Sequence, residues 1–572
     1  MHLRGALPTW SRGQIADRAD QLGIHPVVVE LLVGRDNEDL QTQRSFLNPT
    51  LRELSSPAGM AGFEEAVALL VEARARGWRV GMFGDYDVDG VTTTTILTTF
   101  LECLGVEIVA KVASREGGYG FGLAPAEALH EAGADLVLTG DCGTSDHEAL
   151  GWLKTKGIPT VVIDHHQVPE TMPPASALLN PHQEGCGFPF KGLCSAGVGF
   201  YLAAGVRTAL AKSGVARSEL PDPRAWLDLV ALGTVCDMMP LVGDNRILVR
   251  SGLEVMTQRR RPGVSELLRR AKVDAKVEVD ASHLGFSLGP RLNAPGRLGS
   301  AEPSLDLLRA RSMAEAEPLA AKVEMFNSRR RSLQEQTVAE ALALLAADPE
   351  ASKRGGLVVA HNKWAPGIVG IAAAGVVERY RRPALVIGID EASGEARGSA
   401  RTDAGVDVRA ALSKCSHLLR RYGGHKAAAG VSLAASDIPA LTEAFDRACR
   451  EQLGDAVDDE PLDYHDGELA LEDIDLDLIG HMESLGPFGI GFPRPRYLCA
   501  GAQVTRIRVI KEQHLALTLK QGRAHRDAIA FRKGKVPVAR GDQIGLLFTP
   551  ERNTYRGFDR VQLVVDRLWR AT

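Results

Sequence analysis

Three carboxylates stand at alternate positions in the string Gly84-Asp85-Tyr86-Asp87-Val88-Asp89-Gly90. They follow an apolar segment, 78–84, that reads as a β-strand. Asp85, Asp87 and Asp89 would therefore project near one another. In a partly buried position they would repel strongly, and a bound cation is the economical remedy. A plain acidic turn is the alternative reading of this string taken alone. Three more signals share the pattern. Asp141 follows the strand candidate 135–139, Asp164-His165-His166 follows 159–163, and Asp237 follows the apolar run 226–235. Four strand ends would then offer Asp, Asp, His and Asp to the same edge of one sheet. Mixed carboxylate and imidazole ligands suit Mn²⁺, Fe²⁺, Co²⁺ or Zn²⁺, with Mg²⁺ admissible where oxygen dominates. A lone histidine is most often structural. Adjacent histidines directly after a buried strand, amid three carboxylate sites, favour a metal centre.

The elements that must position these residues alternate. Helical-period runs at 63–77 and 91–104 are interleaved with apolar segments at 78–84, 106–112, 135–139 and 159–163. Such alternation predicts an α/β fold, with a mostly parallel sheet covered by helices on both faces. Ligands of such sheets bind outside the carboxyl ends of the strands, where the acidic and histidine motifs fall. The run 313–347 has few turn signals, and it predicts one long connecting helix with Pro318 in its first turn. A second α/β alternation follows, with strands at 355–360 and 384–389 around a helix at 367–380. An acidic hinge is expected at 455–460. Five strand candidates close the chain at 497–510, 514–520, 525–531, 543–548 and 560–568, which suits a small C-terminal OB-like β-barrel.

At roughly 100–200 residues per domain, a chain of 572 residues predicts three to five domains. A net charge of −5 excludes a uniformly basic nucleic-acid coat and leaves room for a local basic groove. The longest nearly apolar stretch, 368–377, is far short of the ~20 residues a membrane span needs. The opening 1–13 lacks the apolar core of a signal peptide. Eight cysteines without a CxxC pair argue against zinc ribbons and disulfide scaffolds, and fit a reducing cytoplasm. Basic clusters at 259–261, 329–331 and 420–421 read as solvated helix faces or as walls of a nucleic-acid channel. Tyr497, Phe531, Phe548, Tyr555 and Phe558 of the tail read as stacking platforms or as core.

The Asp164-His165-His166 triplet, with Asp-Tyr-Asp-Val-Asp-Gly upstream, resembles the DHH phosphoesterases. Further strings narrow the resemblance to the bacterial RecJ-type single-strand DNA exonucleases. They are Phe46-Leu47-Asn48-Pro49, Arg115-Glu116-Gly117-Gly118-Tyr119-Gly120, the run from Ala231 to Leu241, and Gly289-Pro290-Arg291-Leu292-Asn293-Ala294 with Gly296-Arg297-Leu298. Gly398-Ser399-Ala400-Arg401 and the run from Gly423 to Gly430 complete the set, and together these strings span most of the chain. Phe492 stands where the family often has Asn.

The resemblance implies a division into a lead-in (1–55), a DHH phosphoesterase domain (56–308), a connecting helix (309–348), a DHHA1 substrate-binding domain (349–455), and a hinge with an OB-like barrel (456–572). It implies two divalent metal ions, with Mn²⁺ expected and Mg²⁺ admissible. Asp87 and Asp89 would bind metal, Asp141 would bridge the two ions, and His165 and Asp237 would complete the shell. Asp85 would contribute directly or through a hydrogen bond. His166 would lie by the scissile phosphate, acting in proton transfer or oxyanion stabilisation, with Asp164 orienting an imidazole. Arg115, Ser399 and Arg401 would bind a 5′-terminal phosphate, with His425 beside them. Arg291, Asn293 and Arg297 would track the DNA backbone or brace the site wall.

The implied activity is 5′→3′ hydrolysis of single-stranded DNA to 5′-mononucleotides, in recombination, repair and mismatch repair. The expected state is a cytoplasmic monomer without membrane association. A 5′-phosphorylated strand is its substrate, and a single-strand-binding protein and a helicase are candidate partners. Two rival readings stand beside it. One is a DHH phosphodiesterase for oligoribonucleotides or small nucleotides, usually a two-domain chain. The other is a catalytically inactive replication scaffold of the Cdc45 kind, which missing ligands would betray.

Overall fold

In a computed structural model the chain is described at residues 3–5, 10–115, 120–403, 405–454, 463–534, 536–554 and 558–570. Residues 116–119 of the Arg115 string, the acidic patch 455–460 and Tyr555 lie outside the described residues. Strand β1 (Leu3–Gly5) belongs to the lead-in, whose helices are Arg12–Leu22, Pro26–Gly34 and Leu40–Leu47. The first α/β domain holds β2 (Arg79–Gly84), β3 (Glu107–Val112), β4 (Leu136–Gly140), β5 (Thr160–Ile163) and β6 (Ala177–Leu179). These form one sheet in the order β3-β2-β4-β5-β6, with every pairing parallel.

Helix Val88–Cys103 starts in the acidic string itself, capped by the Asp87 side chain, which accepts from the backbone N–H groups of Asp89 and Gly90. It is buried almost all round despite a run of threonines. The hydroxyls of Thr92, Thr94, Thr95 and Thr98 each donate to the carbonyl four residues earlier and so enter the core paired, whereas the buried Thr93 hydroxyl makes no hydrogen bond among the described residues. Gly84 and Gly90 make the close approach of this helix to β2 feasible. A Cβ on Gly84 would stand 2.0 Å from Thr94 Oγ1, and one on Gly90 2.5 Å from the Asp85 carbonyl oxygen.

The long helix spans Met313–Ala347, with Ser312 as its side-chain cap. Pro318 is its sixth residue, one turn deeper than the sequence suggests, so the proline sits inside the helix. The second α/β domain differs from a parallel alternation. It contains β7 (Leu357–His361), β8 (Ala384–Asp390), β9 (Glu395–Arg401), β10 (Arg421–His425) and β11 (Ala428–Ala434), in the order β10-β11-β9-β8-β7. Only β7 and β8 pair in parallel within it; β8-β9, β9-β11 and β10-β11 are antiparallel. The glycine-rich run at 423–430 is thus a β-hairpin.

The barrel is closed in the order β13 (Tyr497–Ile510), β14 (His514–Gln521), β15 (Ala524–Ala530), β17 (Arg560–Arg570), β16 (Gln543–Asn553). Tyr497 and Phe548 are buried in its core and offer no stacking surface, whereas Phe531 and Phe558 are exposed. The lead-in joins this end of the molecule. β1 pairs with β12 (Asp463–His465), and Val28, Leu31, Leu32 and Leu47 share one core with Leu471, Leu478 and barrel residues.

Arg246 fastens that assembly to the first domain. It is 3% exposed, and its guanidinium donates to the carbonyls of Phe46, Leu485, Gly486 and Pro487 while lying 3.6 Å over the Phe46 ring. Phe492 packs edge-on against Phe46 and stacks on Phe488, so the hinge is built around an aromatic there. Burial, then the neighbouring Arg250, lowers Arg246 to about 9. Arg246→Ala would take the donor from the Phe46, Leu485 and Pro487 carbonyls and leave Gly486 to Arg250, and we expect a loss of about 3–5 kcal/mol. Thermal unfolding of the variant checks this; an unchanged Tm would contradict the role.

Candidate metal centre and anion pocket

The ends of three parallel strands and one helix deliver the acidic cluster. Asp85 follows β2, Asp141 follows β4 and Asp164-His165-His166 follow β5. Asp237 does not follow a strand: it caps helix Leu227–Cys236. An unbroken apolar run reads alike as buried strand or buried helix, and here it is the helix. Asp85, Asp89, Asp141 and Asp164 are each buried. Asp141 takes φ 64°, in the left-handed region where a non-glycine residue is uncommon and Asp is among the better tolerated.

The cluster contains three overlapping groups whose ligand atoms lie within 4.8 Å of one another. They are Asp85 with Asp87 and Asp141, Asp141 with His165 and His166, and Asp89 with His165 and Asp237. Asp141 is common to the first two. His165 Nε2 lies 3.2 Å from Asp141 Oδ1, 3.3 Å from Asp237 Oδ2 and 3.9 Å from Asp89 Oδ2. Asp89 is fixed by the start of helix Ser195–Lys212, where the Ser195 and Ala196 N–H groups donate to its two oxygens at 2.7 and 2.9 Å. Ser195 Oγ donates to Asp141 at 3.2 Å. Nothing in the sequence around Ser195 beyond a small residue opening a helix points to this role.

Burial raises the pKa of Asp141 well above the usual carboxylate value, and the charges of Asp87 and Asp89 raise it further. Burial also raises Asp237, with Asp89 next, and Asp85, with Asp87 next. Burial lowers His165. Asp164 runs the other way. Burial alone would raise it, yet the hydrogen bond and charge of His166 hold it below the usual range. Its Oδ1 lies 2.7 Å from His166 Nδ1, and its carboxylate also accepts from the N–H groups of Thr144, His165 and His166. His166 in turn rises to about 9, because Asp164 outweighs the lowering by burial. Asp85 Oδ1 and His165 Nε2 are buried and make no hydrogen bond within the described residues. Crowded buried carboxylates, an imidazole nitrogen aimed among them and orphaned acceptor atoms fit divalent cations with mixed O and N ligands.

A second cluster carries the opposite charge. Arg401 donates to Ser399 Oγ at 2.6 Å on β9. The glycines of helix Pro366–Tyr380 press against this pair and against the first domain. A Cβ at Gly370 would stand 3.0 Å from Arg401 Nη2, and one at Gly367 2.0 Å from the Arg297 carbonyl oxygen. Arg115 donates to the Gly296 carbonyl and lies 4.4 Å over the Tyr86 ring. Burial, then the charges of Arg115, Arg330 and Arg401, lower Arg297 to about 10. Arg115, Arg297, Arg330 and Arg401 are thus close enough to repel, which is the condition an anion relieves. Tyr86, Gly367 and Gly370 were not among the site candidates read from sequence, and Arg330 was read only as part of the basic cluster 329–331.

Other candidates sit differently. Arg291 is paired with Glu324 of the long helix at 2.6 Å and donates to the Ser287 carbonyl. Asn293, Arg297 and Arg330 line a cleft of about 1960 Å³ that the hinge and barrel also border. His425 ends β10 in the exposed hairpin. Among the basic clusters, Arg261 is paired with Asp228 and Arg420 with Glu395, while Arg330 reaches the cleft.

Comparison with known proteins agrees with this layout. Residues 79–234 match the DHH family N-terminal domain, 354–451 the DHHA1 domain and 465–567 the RecJ OB domain. The chain is 34% identical over 547 residues to the single-stranded-DNA-specific exonuclease RecJ of Dickeya dadantii, covering 92% of this chain and 94% of that one. To the Bacillus subtilis protein of the same name it is 32% identical over 557 residues, covering 96% of this chain and 69% of that one. Among solved structures, RecJ of Thermus thermophilus in complex with Mn²⁺ matches with a TM-score of 0.83 at 28% identity, covering 100% of this chain and 80% of that chain. The same relative in complex with Mg²⁺ matches with a TM-score of 0.77 at 26% identity, covering 100% and 78%. A buried Asp/His cluster, an arginine pocket across the domain junction and a closed terminal barrel, in a chain alike over nearly its whole length, place it in the family of RecJ single-stranded-DNA-specific exonucleases.

Proposed function

We propose that this chain degrades single-stranded DNA from its 5′ end, releasing 5′-mononucleotides, with two divalent ions, Mn²⁺ ahead of Mg²⁺. The observation that carries the reading is the sharing of Asp141 between two ligand groups, in a domain joined to the Arg115–Arg297–Arg401 cluster. Asp85, Asp87, Asp89, Asp141, His165 and Asp237 would hold the ions. When bound, such a pair polarises the phosphodiester and supplies a nucleophile near neutral pH. The rest falls to the chain's own groups. With Nδ1 committed to Asp164, any proton that His166 gives or takes passes through Nε2. Ser399 and Arg401, already hydrogen-bonded to each other, offer donors pre-set for a terminal phosphate, which carries more charge than an internal diester. Arg115 adds charge from the other domain.

The cleft supports a polymer as substrate, since about 1960 Å³ exceeds the ~300–1,000 Å³ of small-molecule pockets. A cytoplasmic monomer acting in recombination and in DNA repair, mismatch repair included, fits this activity. A helicase would supply strands and a single-strand-binding protein would coat them. Among the described residues no helix is long and apolar enough to cross a membrane. Digestion of an oligonucleotide labelled at either end, with Mn²⁺, Mg²⁺ or EDTA, tests the reading. Early release of the 5′ label as mononucleotide, abolished by EDTA, is expected; early release from the 3′ end, or turnover of dinucleotides alone, would contradict it.

A further inference from the structure

Phe286 is 85% exposed and Met238 69% exposed, yet both line the cleft that Asn293, Arg297 and Arg330 border. Met238 directly follows the ligand candidate Asp237 and takes φ 59°, a conformation that costs a side-chain-bearing residue energy and recurs at functional sites. Phe286 lies in His283–Leu288, a π-helical turn, a rare element that is over-represented at such sites.

The two segments are packed together. Cys236 Sγ lies 3.6 Å from the Leu284 carbonyl oxygen, a Cβ on Gly285 would stand 3.6 Å from Val235, and one on Gly289 2.5 Å from Cys236 Sγ. The turn bearing Phe286 is therefore fixed to the end of the helix that delivers Asp237 and Met238. Apolar surface kept exposed in a cleft that also carries cationic side chains matches the chemistry of a single strand, whose bases need flat apolar partners and whose phosphates need cations.

We propose that Phe286 and Met238 form a base-stacking platform for the strand entering the metal centre, while Asn293, Arg297 and Arg330 receive its phosphates. The proposal rests on the exonuclease reading above and assigns the base contact within it. It also gives a reason for strand selectivity, because a base inside a duplex has both faces stacked already.

The test compares wild type, Phe286→Ala, Phe286→Trp and Met238→Ala on 5′-phosphorylated strands, intact or with consecutive abasic positions, in Mn²⁺. Phe286→Ala should raise KM for the intact strand on the order of ten-fold with kcat nearly unchanged, given the usual worth of base–aromatic stacking. Met238→Ala should raise it less, and Phe286→Trp should keep the wild-type KM. Wild type and Phe286→Ala should converge on abasic strands, where there is no base to stack. Circular dichroism and an unchanged Tm would show that the exposed truncation leaves the fold intact. A wild-type KM in Phe286→Ala, with the abasic penalty retained, would overturn the platform and leave the exonuclease reading standing. Failure of wild type to degrade any strand would instead remove that reading and the platform with it.

Discussion

Asp141→Asn is expected to reduce strand degradation at least about 10³-fold in either Mn²⁺ or Mg²⁺, because several kcal/mol of transition-state stabilisation depend on the shared carboxylate. The same variant should be more stable than wild type in EDTA. Burial and the neighbouring Asp87 and Asp89 charges make the Asp141 carboxylate costly in the metal-free protein, and Asn removes that charge while keeping the shape. Added Mn²⁺ should then raise the Tm of wild type, each ion contributing about 2.7 kcal/mol of linkage at a hundred times Kd, and raise that of the variant less. Loss of activity together with gain of metal-free stability separates a ligand from a structural residue. A variant that is inactive because it is merely unfolded would lose both.

Arg401→Ala carries the second large effect. Its guanidinium is hydrogen-bonded to Ser399, and it contributes to the repulsion that lowers Arg297. Truncating a charge-assisted contact to a terminal phosphate should cost the 5′-phosphorylated substrate on the order of a hundred-fold in kcat/KM. The 5′-hydroxyl substrate should lose far less, so the preference between the two ends collapses. Arg401→Lys should fall between them, since an ammonium keeps the charge but not the planar fork. Equal losses on both substrates, measured by competition between the two ends, would show that Arg401 serves the strand generally and not its 5′ end.

Much of this site was legible because chemistry and periodicity coincide. The acidic string sits between a buried strand and a buried helix, and the histidine pair follows β5 as the spacing suggests. The long helix keeps the bounds Met313–Ala347 because Ser312 caps it and no glycine interrupts it. Strand β14 of the barrel alternates cleanly enough to be read from period alone.

What was not legible has specific causes. Asp237 reads as following a strand because 226–235 is mostly apolar and buried almost throughout, which erases the difference between the two periods. The second sheet is mixed because β9 and β11 are written in Ala, Gly, Ser and Arg, residues with little strand signal. Their small side chains leave room for Ser399, Arg401 and helix Pro366–Tyr380 to meet. Arg330 stands in a helical basic cluster whose sequence fits a solvated face as well as a channel wall. Phe286 is hidden by a π-helical turn, which no local pattern announces. Each is a tertiary effect: a residue acquires its role from a neighbour far away in sequence.

The measurement that bears most directly on the shared carboxylate is an Mn²⁺ titration followed by electron paramagnetic resonance on wild type and Asp141→Asn. Two ions per chain in wild type with a spin-coupled spectrum, and loss of that coupling in the variant, are predicted. A single uncoupled ion in wild type, or coupling that survives the loss of Asp141, would contradict the account.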